Sequence, residues 1–71
     1  MLTPDEAQAC AAVVEVDGTG KCCKLIRESR NLPQGTDAAR ELLQAAVGAS
    51  LWLMPEAEIA KRLREFAGRI S

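Results

Sequence analysis

Adjacent thiols at Cys22 and Cys23, with Cys10 upstream, are the most chemically suggestive residues of the chain. The thiolate is the reactive form of cysteine, and a thiol in the first turn of a helix beside cationic side chains gives up its proton more readily. If Thr19 caps a helix over residues 20–31, both thiols fall in that turn beside Lys21 and Lys24. Cys22 and Cys23 are therefore the reactive-thiol candidates of a thiol-based sensor or soft-metal binder. Their spacing argues the other way. Neighbouring cysteines lack the two-residue separation of a redox pair, and three cysteines without a histidine do not complete a usual zinc site. Free cysteine commonly serves as a small buried hydrophobe. No metal and no cofactor are expected, and the thiols should stay reduced.

The stretch Asp17-Gly18-Thr19-Gly20-Lys21 suggests two ligand loops and completes neither. A phosphate-binding P-loop ending at Gly20-Lys21 needs a glycine where Glu15 stands and a hydroxyl residue where Cys22 stands. A calcium-binding loop aligned on Gly20 has Ile26 in place of its bidentate glutamate. A plain interhelical turn is the expectation.

Lys21, Lys24, Arg27 and Arg30 are the anion-binding candidates. They offer charge for phosphates but no aromatic neighbour on which a base would stack, and the net charge of the chain is −1. A solvated helix face explains them better. The run Glu58-Ile59-Ala60-Lys61-Arg62-Leu63 resembles one helix of a helix-turn-helix unit, yet only Ala67 to Ser71 remain after Phe66 for a recognition helix. With no histidine and no tyrosine, the commonest proton-transfer groups are missing, so the chain reads as no enzyme and shows no evident small-molecule substrate.

Leu51, Trp52, Leu53 and Met54 form the third cluster of interest and are the interface candidates. Four consecutive apolar residues cannot all turn inward on one helix, so some of them must face outward. An exposed Trp beside Leu and Met has the composition of an interface centre.

The elements that position these residues read as helices. Thr3-Pro4-Asp5-Glu6 combines an N-cap, a proline at the first helical position and a glutamate able to close a capping box. Ala7, Cys10, Ala11 and Val14 then share one face, and the turn residues 17–20 end that helix. Cys22, Leu25, Ile26 and Ser29 keep helical spacing in the second segment. Thr36 is placed to cap a third helix whose stripe is Ala39, Leu42, Leu43, Ala46, Val47 and Leu51. Pro55 opens a fourth, with Ile59, Ala60, Leu63, Phe66, Ala67 and Ile70 on one side and opposite-charge pairs Glu58/Arg62, Lys61/Glu65 and Glu65/Arg69 on the other.

The expectation is an all-α fold: a compact bundle of four short helices, about 4–16, 20–31, 37–52 and 55–70, with the 36–70 hairpin as its base. The alternative is an α+β fold with a hairpin at 12–26, where β-branched residues flank the turn. The chain is short enough that residues 1–71 should form a single domain, marginal alone and inclined to lean on a partner. The first residues are acidic and the odd cysteine count fits a reducing compartment, so the expected location is cytoplasmic, with no membrane partner. Together these features point to a non-enzymatic protein–protein interaction module that is a homodimer or binds one protein partner. The alternative is an accessory regulator with weak nucleic-acid binding through its basic second helix.

Overall fold

The computed structural model of the chain describes residues 1–33, 35 and 37–70, apart from the side chain of residue 70. Four α-helices account for most of it: α1 (Pro4–Asp17), α2 (Thr19–Arg30), α3 (Ala38–Val47) and α4 (Glu56–Ile70). Among the described residues there is no strand, so the hairpin alternative at 12–26 is wrong: helical backbone runs through both of its arms. The capping box overrides the β-branched residues of that region. Thr3 accepts from the Glu6 amide at 3.2 Å while the Glu6 carboxylate accepts from the Thr3 amide at 2.9 Å, which satisfies two donors at the helix start.

Gly18 alone separates α1 from α2. Its amide closes α1 by donating to the Val14 carbonyl at 3.1 Å, and its own carbonyl begins the pattern of α2. This double duty needs φ of 88° with ψ of 173°, a region that side chains other than glycine's hydrogen scarcely enter. α2 ends on Asn31 in the left-handed region, a conformation asparagine tolerates better than most residues.

The third helix is shorter than its apolar stripe suggests. Residues 37–52 do not form one helix: α3 stops at Val47, where Gly48 adopts φ of 74° and donates to the Gln44 carbonyl at 2.9 Å. Ser50 then starts a separate 3-10 turn, Leu51–Leu53, by accepting from the Trp52 amide. A glycine in the left-handed region followed by a serine cap is a stronger stop than the recurrence of leucines is a reason to continue. The proposed Thr36 cap lies outside the described residues, and Asp37 occupies the N-cap position without a side-chain bond to the helix.

The core is one continuous apolar cluster, built by Leu2, Cys10, Ala11, Val14, Cys22, Ile26, Ala39, Leu43, Val47, Leu51, Ile59 and Leu63 among others. Its most extensive helix pair is α1 with α4, not the α3–α4 hairpin expected as the base. Alanines explain this. Ala7 and Ala11 on α1 and Ala60 and Ala67 on α4 are all buried, and such small side chains let two backbones approach closely. Leu2 is also buried, and Arg30 holds the arm before it by donating to the Met1 carbonyl at 2.6 Å and to Glu6 at 2.7 Å.

Candidate interaction surface

The turn that follows α3 carries the outstanding surface feature. Leu51 points inward and is 6% exposed, whereas Trp52 and Leu53 are 75% and 82% exposed. In a 3-10 turn successive side chains diverge by about 120°, so only one of three residues can face the core. Met54 is half-buried and packs against the cluster. Of the four interface candidates, Trp52 and Leu53 are thus available to a partner, Met54 in part, and Leu51 is part of the core.

Trp52 is not left loose. The chain doubles back after Gly48 and lays the indole against α3, where the Arg40 Cζ lies 3.4 Å from the ring centroid. A guanidinium over an indole face is attracted by the ring quadrupole, by about 0.5–1 kcal/mol at an exposed site. Arg40 itself is half-buried, and its Nε is enclosed without a hydrogen-bond partner. An enclosed donor left unmade costs roughly 1–3 kcal/mol, so the stack does not fully settle this arginine.

The other arginines that touch carboxylates show what a satisfied guanidinium looks like here. Arg30 is bound to Glu6, Arg62 to Glu58 at 3.2 Å and to the Val47 carbonyl at 3.1 Å, and Arg64 to Glu15. Arg40 is accompanied by Asp37 at the N-cap of α3 and Glu41 on the helix, both exposed, yet neither is paired with it.

The anion-binding candidates are not gathered into one site. Arg30 is committed to Glu6 and to the N-terminal arm. Lys24 and Arg27 line a groove with Asn31 and Leu32 near the C-terminal end of α2, where the helix dipole is negative and works against an anion. Lys21 is exposed. A second groove, between α3 and α4, has Ala46, Val47 and Phe66 along its floor, with Arg62 already bridging its wall.

Burial weighs against the reactive reading of Cys22 and Cys23. The cap of α2 is Gly18, not Thr19, and Cys22 points into the core, where it is fully enclosed with Cys10 on the facing helix. Contact with the Cys10 thiol, followed by burial, pushes the Cys22 thiol far up from its ordinary value. Burial also raises the half-buried Cys23, outweighing the nearby Arg27 and Arg40 that pull it down. At Cys23, desolvation wins over the nearby cations. Among the described residues no group of acidic, thiol or imidazole side chains is arranged to hold a metal, and no helix is long and apolar enough to cross a membrane.

Among the described residues, Glu6 carries the most pronounced carboxylate shift. The Arg30 hydrogen bond, against an opposing contribution from burial and with help from the Thr3 amide, holds its carboxyl down to about 2. It has a structural task, because it closes the capping box and anchors the N-terminal arm at once.

Sequence periodicity finds Trp52 and Leu53 but not Arg40. The arginine looks like one more solvated position of α3 until the turn after Gly48 brings the indole over it. Compared with protein-family models, curated proteins and solved structures, the chain has no match.

Proposed function

We propose that this chain is a non-enzymatic, cytoplasmic protein–protein interaction module that self-associates through the corner formed by Trp52 and Leu53. The observation that carries the reading is the pair of large apolar side chains standing 75% and 82% exposed on consecutive residues, with the indole fixed in place by Arg40. Exposed apolar residues scattered singly are ordinary; two adjacent ones with a pre-positioned Trp resemble the anchor of an interface. Pre-positioning also matters energetically, since a side chain already held in place loses less freedom on docking. The buried residues around this corner give it a rigid base, because Leu51 pins the turn to the core from below.

Self-association is the form of docking the surface favours. Pairing of identical patches about a two-fold axis requires that each patch contain its own complement. This one places Trp52 and Leu53 next to Arg40, with the exposed carboxylates of Asp37 and Glu41 on the same stretch of α3.

Sedimentation velocity over a concentration series tests the reading on the wild type and on Trp52→Ala. The expected outcome is a dimer for the wild type and a shift to monomer for the variant, with helical circular dichroism unchanged. A wild type that remains monomeric at high concentration overturns it.

A further inference from the structure

We infer that Arg40 is the specificity-determining residue of this surface: its guanidinium, fixed on Trp52, receives the Asp37 or Glu41 carboxylate of a second copy of the chain. This rests on the self-association reading above and names the contact that would orient it. The stack holds the guanidinium plane at a set place on the surface, 3.4 Å from the indole centroid. Nε is enclosed and unpartnered, so the two terminal nitrogens carry the hydrogen-bonding capacity of the group. Planar guanidinium donors match a carboxylate in a two-pronged geometry that an ammonium does not reproduce.

The carboxylates come from the same stretch of helix. Asp37 lies one turn before Arg40 and Glu41 follows it; both are exposed and neither is paired with Arg40 within its own chain. A two-fold axis beside Trp52 sets Arg40 of one copy against the acidic residues of the other, and the reverse, so both contacts form together. Docking then removes water from a cation already covered on one face, which strengthens the contact and penalises any copy that cannot supply the charge.

The test is a charge exchange, with dissociation constants measured by sedimentation and by a fluorescence-labelled mixing assay. Arg40→Glu alone, and Asp37→Lys with Glu41→Lys in one chain, should each weaken self-association by about tenfold or more, since like charges then face each other. Mixed together, the two variants should form a heterodimer clearly tighter than either variant's own homodimer, because each then offers the charge the other lacks. Arg40→Met, which keeps an apolar stem for the indole, should weaken the dimer and remove its salt dependence. Circular dichroism of every variant checks that the helices persist. If Trp52→Ala dissociates a wild-type dimer while the charge variants keep wild-type affinity, the inference about Arg40 fails and the interface reading stands. If the wild type never dimerises, both fail. Failure of the two variants to associate on mixing, when each alone is folded and monomeric, also overturns the assigned contact, as does salt-sensitive retention on nucleic acid that depends on Arg40.

Discussion

The Arg40 guanidinium carbon lies 3.4 Å from the centroid of the Trp52 ring, joining the start of α3 to the turn that follows its end. The contact braces an exposed residue without burying it. Neighbouring positions of the same turn should therefore answer mutation very differently. Trp52→Ala and Leu53→Ala remove side chains that contact mostly water in the single chain, so each should cost less than about 1 kcal/mol of monomer stability. Leu51→Ala empties a core position 6% exposed and should cost about 2–4 kcal/mol. Urea unfolding at concentrations low enough to keep the protein monomeric gives the comparison, and equal losses at Leu51 and Trp52 would contradict it.

Acid should loosen the N-terminal clamp. The folded-state value of Glu6 is held down to about 2 from an ordinary 4.5, so the charged carboxylate is favoured by the fold. A group depressed in this way contributes its stability above the unfolded value and loses it as pH falls. The contribution should be complete above about 4.5 and fade toward about 2. Glu6→Gln keeps a polar acceptor for the Thr3 amide but loses the ion pair with Arg30, and its melting temperature should depend less on pH across that window. Parallel melts of both proteins decide it; identical acid dependence would show that Glu6 is not the group responsible.

Three of the four helices are legible from local signals, because a capping box, a glycine turn and a proline start fix α1, α2 and α4 without reference to the rest of the chain. Periodicity misplaces the end of α3 for a physical reason. Leu51 continues the spacing of Leu43 and Val47, so periodicity alone extends the helix to 52, whereas the left-handed Gly48 and the Ser50 cap end it at Val47. Which faces pair is not a local property either. The alanines of α1 and α4 are weak apolar signals one by one, and only their burial in the fold shows that they lie where the bundle has its most extensive helix pair. Trp52 and Leu53 announced themselves as apolar residues in excess of one face. Cys22 stands on the same stripe as Ile26, so its inward turn follows from the spacing, whereas the place of Arg40 under the indole depends on tertiary neighbours and has no signature there.

Gly18 should be the least replaceable glycine of the chain. Its backbone sits at φ of 88°, and a Cβ built there would lie 3.0 Å from the Glu56 Oε1. The carboxylate can swing aside, so the steric conflict is minor; the backbone cannot change without unlinking α1 from α2. Gly18→Ala should therefore destabilise by about 1–3 kcal/mol. Gly20, helical and open to solvent, should instead gain slightly from Gly20→Ala, by about 0.5–1 kcal/mol. Opposite signs from chemical denaturation of the two variants are expected, and a stabilising Gly18→Ala would rule out the linker geometry.

The thiols should separate by burial rather than by their shared place in the first turn of α2. Cys10 and Cys22 are fully enclosed on facing helices, and contact between them together with burial disfavours the Cys22 thiolate. Cys23 is half-buried and also raised, chiefly by desolvation. Reaction with an aromatic disulfide reagent at neutral pH requires both access and a thiolate, so in the native protein Cys10 and Cys22 should be silent. Cys23 should react slowly, more slowly than a free thiol, and all three should react at once in denaturant. Mutation follows the same division. Cys23→Ser changes a partly exposed position and should cost less than about 1 kcal/mol, whereas Cys22→Ser places a hydroxyl in an apolar core and should cost about 1–3 kcal/mol. Thiol counts with and without denaturant, joined to melting curves of the single variants, measure both halves. A native Cys22 that reacts faster than Cys23 would refute the buried placement and return the thiols to candidacy as a sensor.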